Sequence, residues 1–258
     1  MRLRMLSSCF PCSPSMPAPE RYSFNLWPPT RPDEVKMQIR NFNAVQTTLM
    51  VLAALAMPAV VLLAFYYPPV IADQGQAHRI FYIHVPVAWV ALYSPAIGAL
   101  AGLAYLLRRE ERFDTIVVVS MRLALLFALG VVISGPLWAS TEWGVFWNWK
   151  DSRLMSFFIL VLTIGGFFVV REFTEDPRRK GLYSAVMALL CTFAALLTWF
   201  AIRVITPESH PTSVLGAMSP KIRQTFWLSV LGFHFFYLFL FVLSYRAEKL
   251  QKITDGVR

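Results

Sequence analysis

The sequence predicts an all-α, polytopic membrane protein of six transmembrane helices with both termini cytoplasmic. Three observations predict it. Of 258 residues, 57% are hydrophobic and only 15% charged, where a soluble domain carries about 25% charged residues. The apolar residues come in blocks of roughly 17 to 28, the length that crosses a hydrocarbon core of about 30 Å. The basic residues gather on one side of those blocks, as the positive-inside rule requires of a membrane topology.

Taken in order, the blocks are Leu49–Ala72, Ile80–Leu107, Thr115–Trp138, Leu154–Val170, Leu182–Ile202 and Phe226–Tyr245. Each must be helical, because backbone polar groups in lipid have to be satisfied within their own segment. With six spans, one side holds the leader, the loops 108–114 and 171–181 and the tail, which together carry seventeen Lys and Arg. The other side carries six, and Arg122 lies inside the third block. The net charge of +9 is therefore a topology signal and not a nucleic-acid footprint. The expected outward segments are 73–79, 139–153 and 203–225. Arg122 lies about seven residues into its helix, roughly 10 Å from the interface, and is expected to snorkel there.

Three regions follow: a disordered cytoplasmic leader (1–46), a transmembrane domain (47–245) and a cytoplasmic tail (246–258). The leader is polar, carries seven prolines and has no apolar run of signal-peptide length. An ordinary-looking stretch begins at Met37, which leaves open whether residues 1–36 are translated. Cys9 and Cys12 make a lone C-x-x-C with no histidine after it, so no haem-attachment motif is present. Cys191, inside an apolar block, is expected to pack.

The outward segment between the third and fourth blocks holds the distinctive chemistry. Four of the eight tryptophans, Trp138, Trp143, Trp147 and Trp149, fall in twelve positions, interleaved with Gly144, Asp151 and Arg153. An interfacial belt accounts for one or two tryptophans per helix end. This many suit a large, flat, apolar ligand. Two histidines lie on the same side, His84 and His210. Haem iron accepts imidazole ligands, one on each face of the macrocycle, so these residue types fit one porphyrin between two imidazoles. Pro86, two residues after His84, suits the first turn of a helix and would fix that imidazole at the membrane surface. His78 is the weaker rival, and His234, inside the sixth block, reads as a satisfied core histidine.

The motifs R-I-x-Y-I-H-V-P at Arg79–Pro86, G-P-L-W at Gly135–Trp138 and W-G-x-x-W-x-W…D-x-R-L at Trp143–Leu154 resemble those of the haem exporter protein C (CcmC) family of cytochrome c maturation. The resemblance covers residues from about 40 to the end. It implies a protein of the cytoplasmic (inner) membrane that binds haem b as transient cargo on its outer, periplasmic face. Delivery would be to a membrane-anchored haem chaperone, CcmE, beside the ABC-type subunits CcmA and CcmB and the small membrane protein CcmD. It maps the axial ligands onto His84 and His210, and the platform onto Trp143, Gly144, Trp147 and Trp149 with Asp151 and Arg153. The sequence departs from the pattern at Lys150, which separates Trp149 from the acid. The resemblance implies transfer without catalysis. The alternatives are a haem-ligating cytochrome c synthase, which has more spans and paired intramembrane histidines, and a b-type electron carrier, which needs histidines facing each other across helices.

The topology carries a first test. An alkaline-phosphatase fusion at Asn148 should be active, and an inactive fusion there would overturn the orientation drawn from the charge count.

Overall fold

The computed structural model describes residues 43–72, 74–204 and 218–256. These form six helices: α1 (Ala44–Tyr66), α2 (Phe81–Arg108), α3 (Glu111–Trp143), α4 (Ser152–Glu172), α5 (Pro177–Val204) and α6 (Pro220–Gly256), with a 3-10 turn at Ala77–Ile80 before α2. All six are long and apolar enough to cross a membrane. The β pairing among the described residues is a single bridge between Ile71 and Gly75.

Helix ends differ from those expected, each for a local reason. Helix α1 starts at Ala44, inside the segment assigned to the leader. Asn43 Oδ1 accepts from Gln46 N at 2.8 Å and Gln46 Oε1 accepts from Asn43 N at 3.1 Å, a reciprocal capping box. It stops at Tyr66, well short of Ala72, because Pro68 and Pro69 follow and have no N–H to carry the helical hydrogen bonding past Tyr67, whose N–H is bonded to the Leu63 carbonyl. Helix α3 runs on to Trp143, where Gly144 at φ +70° ends it in the left-handed region. Nearly half of the expected outward segment 139–153 is therefore helix, and the loop is confined to 144–151. Helix α6 continues through the supposed tail to Gly256.

Helix α2 is central, packing on both α3 and α5, while α1 pairs mainly with α6 and α4 with α5. In lipid, helices associate by close packing of small residues, since the apolar effect does not distinguish tails from side chains. Gly98 and Gly102 supply this on α2 in a G-x-x-x-G spacing. A Cβ on Gly98 would lie 3.2 Å from Ser120 Cβ of α3, and one on Gly102 would lie 3.0 Å from Ala185 Cα of α5. The core along this seam includes Ala91, Val117, Met121, Ala124 and Ala188, and Cys191 is buried within it as expected.

The loop ends rich in Lys and Arg are tied by an ionic cluster. Arg171 of α4 grips Asp114 of α3 bidentately, Nη1 to Oδ1 at 2.8 Å and Nη2 to Oδ2 at 2.9 Å, and also donates to Ser184 Oγ of α5 at 2.6 Å. Lys252 of α6 reaches Asp114 Oδ2 at 3.2 Å and Thr115 Oγ1 at 3.0 Å. Arg246 donates to Gln46 Oε1 at 2.8 Å, which adds α1. Arg122 does not simply snorkel: it pairs with Glu248 at 2.9 Å. That partner exists because α6 extends past the expected span end.

At the tryptophan end, Arg79 is buried and donates through Nη1 to the Ala64 carbonyl, one of the last acceptors of α1. Gln76 holds its Nε, so the turn before α2 is clamped to α1.

The seam predicts a defined sensitivity. Gly102→Val should destabilise the detergent-solubilised protein by about 1–3 kcal/mol, the usual cost of overpacking. An unchanged thermal midpoint would show that α2 and α5 have room to part there.

Candidate functional site

In the tryptophan half of the bundle, α2, α3, α4 and α5 enclose a cavity of ≈ 760 Å³, within the size range of small-molecule and cofactor sites. Its lining is largely apolar and aromatic. Among the residues singled out from sequence, His84, Trp143, Trp147, Asp151 and Arg153 all line it. Gly144 and Trp149 are not among its lining residues. Gly144 makes the turn out of α3, and Trp149, largely exposed, meets Trp147 edge-on at 5.8 Å. His210 lies outside the described residues, as do Cys9 and Cys12.

His84 is held against one helix. Its Nδ1 lies 2.8 Å from Ser134 Oγ, and Ser134 Oγ lies 2.7 Å from the Gly130 carbonyl. A carbonyl only accepts, so the hydroxyl proton goes to Gly130, and Ser134 accepts from His84 Nδ1–H. The imidazole is thereby set in the tautomer whose lone pair is on Nε2. This is how histidines that ligate metals are usually oriented. One turn further along α3, Trp138 meets the His84 ring edge-on at 5.8 Å and 69°. Between them, a Cβ on Gly135 would stand 3.3 Å from His84 Cε1. The G-P-L-W motif thus reads physically. Gly135 leaves room for the imidazole, and Trp138 packs its edge. Pro136 removes a helix donor from the Val132 carbonyl, and both residues line the cavity.

Pro86 does not sit in the first turn. Helix α2 begins at Phe81, so Pro86 is inside it, and His84 stands within the first turn. The clamped 3-10 turn of residues 77–80, and not proline at a helix start, fixes the entry of α2.

Asp151 is the N-cap of α4, accepting from Arg153 N at 2.9 Å and Leu154 N at 3.4 Å. Its carboxylate also receives Arg153 Nη2 at 3.0 Å, and both side chains are buried. Lys150 is exposed and taken up in the preceding turn, where its N–H donates to Asn148 Oδ1 at 3.0 Å and Asp151 N donates to the Asn148 carbonyl at 3.1 Å.

The remaining described histidines stand apart. His78 is buried, donates through Nδ1 to the Gly75 carbonyl at 2.7 Å and is not a lining residue. His234 bonds the Val230 carbonyl at 2.7 Å and stacks on Tyr93 at 5.4 Å, a satisfied core histidine. Among the described residues, no group of three or more His, Cys, Asp or Glu gathers to hold a metal ion.

Sequence reasoning missed Ser134, Trp199 and Arg203, which belong to this site or its wall. Ser134 is one polar residue in an apolar run and carries no signal by itself. Trp199 and Arg203 had one: an aromatic and a cation four apart share a helix face.

Fold and cavity define a polytopic helical membrane protein with an imidazole-bearing aromatic chamber in one half of its bundle. The chain belongs to the Heme exporter protein C (CcmC) family, whose family model matches residues 32–256, extending the likeness into the end of the leader. It is 29% identical over 189 residues to Heme exporter protein C of Rhodobacter capsulatus, covering 71% of this chain and 78% of that one. It is 28% identical over 211 residues to the Bradyrhizobium diazoefficiens protein of that name, covering 80% of each. With the Escherichia coli K12 protein of that name it shares 25% over 174 residues, covering 66% of this chain and 69% of that one.

The tautomer is directly measurable. Nitrogen-15 NMR of the histidine-labelled protein should show His84 protonated on Nδ1. Ser134→Ala, which removes an acceptor worth about 1 kcal/mol, should let the Nε2–H form appear. A spectrum unchanged by that substitution would remove Ser134 from the role.

Proposed function

We propose that the cavity receives haem as cargo, that His84 Nε2 supplies one axial ligand to its iron and His210 the other, and that the chain then passes the haem to a membrane-anchored chaperone of the CcmE type. The observation that carries this reading is the convergence on one chamber of an oriented imidazole, five tryptophans and the Asp151–Arg153 pair. Haem needs apolar, aromatic walls for its macrocycle and nitrogen ligands for its iron. Two lining side chains, Tyr93 and Trp147, carry a buried Oη and Nε1 with no hydrogen-bond partner among the described residues, which suits a chamber built for an occupant. The relatives' name, heme exporter, points the same way.

On this reading the chamber opens to the outer face of the cytoplasmic membrane, as the distribution of Lys and Arg implies. CcmA, CcmB and CcmD would be its neighbours in the bilayer, and haem b its transient cargo. The chain's own work is to bind, orient and release. The imidazole is presented by a helix wall, the tryptophans stack on the ring, and nothing in the scheme makes or breaks a covalent bond. A b-type electron carrier is less well supported, because the ring partner of His234 is Tyr93 and not a second imidazole.

The test is spectroscopic. His84→Ala should lower the haem that co-purifies by roughly tenfold or more, the equivalent of at least about 1.4 kcal/mol, and added imidazole should restore part of it. His210→Ala should convert a six-coordinate spectrum to a five-coordinate one. A double variant that keeps a bis-histidine spectrum would refute the ligand pair. Delivery is checked separately, by co-purifying the wild-type chain with a tagged CcmE-type chaperone and staining the chaperone for haem.

A further inference from the structure

The wall that α5 gives to the cavity ends in a cation. Arg203 and Trp199 both line the chamber, and the Arg203 guanidinium carbon stands 3.6 Å from the centroid of the Trp199 ring. This is a close face-on cation–π contact. It fixes the guanidinium plane against the wall while leaving its N–H edge for a planar, bidentate acceptor. The chamber's other guanidinium is in a different state: Arg153 is buried and its charge is balanced by Asp151 at 3.0 Å. No carboxylate among the described residues pairs with Arg203. The chamber therefore offers one internally neutralised ion pair and one oriented cation, over a lining that is otherwise mostly apolar and aromatic.

We propose that Arg203 is the carboxylate-binding residue of this chamber. The proposal rests on the haem reading above and goes further, because haem is amphiphilic: an apolar ring with two carboxylate arms on one edge. A guanidinium already held flat on an indole can take one arm bidentately with little loss of side-chain freedom. Placed at the outer end of α5, Arg203 would set which edge of the ring points out of the chamber, while His84 meets the iron from α2. A ligand of the same shape without carboxylates would stack on the same tryptophans and lose this contact.

The test compares two porphyrins on the full-length protein in phospholipid-free detergent: haem and its dimethyl ester, in which both carboxylates are masked. Titration by absorbance should show wild type binding haem about tenfold tighter than the ester, the ratio expected for one charge-assisted pair. Arg203→Gln should weaken haem binding until the two are close to equal and leave ester binding unchanged, which also shows the variant is folded. Arg203→Lys should recover part of the preference. A glutamine variant that keeps the wild-type ratio overturns the assignment and leaves lipid phosphate as the partner of Arg203. Equal weakening of both porphyrins also overturns it, reducing Arg203 to a structural role. If wild type binds neither porphyrin, the haem reading itself falls and the assignment with it.

Discussion

Helix α2 has to touch α3 and α5 at once, and Gly98 and Gly102 permit it. In water, burial of large apolar side chains would drive such packing. In a bilayer that drive is absent, because lipid tails solvate leucine as well as another helix does. What remains is dispersion between surfaces that fit, and the fit here is backbone against small side chain, with Gly102 on Ala185 and Gly98 on Ser120. The same three helices, with α4, line the cavity in the other half of the bundle, where α2 contributes His84, Trp89 and Tyr93. Small residues on α2 make the seam, and large ones about one to four turns before Gly98 face the chamber.

The two ends of the bundle are built from different forces. At the Lys- and Arg-rich end, Asp114 receives Arg171 and Lys252, so one carboxylate joins α3, α4 and α6, and Ser184 adds α5. At the other end, apart from the Arg79 clamp on α1, the joints are aromatic, with Phe81 stacked on Phe226 at 5.1 Å and Trp89 edge-on to Phe226 at 5.7 Å. Charged joints are directional and short. Aromatic joints tolerate sliding and offset. A chamber that accepts and gives up a flat ligand is better placed among the second kind, with the first kind holding the far end of its helices together.

Much of this was legible because membrane constraints are strict. The six spans follow from blocks of apolar length, and His84, Trp143, Trp147, Asp151 and Arg153 stand out as chemistry that a lipid-facing helix does not need. The helix ends were less legible. Trp143 looks like loop by its polar neighbours, yet α3 continues to it because Gly144, and not Pro136, is the residue that can end the helix in the left-handed region. Arg122 reads as a snorkelling cation because its partner, Glu248, is 126 positions away on a helix whose extension reads as a tail. Ser134 was invisible for a different reason. A serine inside a span ordinarily bonds its own helix, as Ser134 does to Gly130. Only the approach of α2 turns the second lone pair of that hydroxyl into an acceptor for His84.

That second lone pair connects three motifs that read separately along the chain. The Ile-His-Val-Pro element brings the imidazole, Gly135 makes space for its ring and Trp138 closes on its edge, while Ser134 decides which nitrogen keeps the proton. The tryptophan loop then reaches the chamber from the end of the same helix α3, through the left-handed turn at Gly144. Its return into α4 is fixed by Asp151, which caps that helix and holds Arg153 with one carboxylate. The inserted Lys150 leaves this arrangement intact because the cap depends on the spacing from Asp151 to Arg153 and Leu154, not on the distance back to Trp149. The extra residue is absorbed upstream by Asn148, whose side-chain and main-chain oxygens accept the next two free N–H groups of the turn. What the loop must conserve, in physical terms, is the register of the cap with α4. Between Trp149 and the acid it can change length, because the backbone groups freed by the change find their partners within the turn itself.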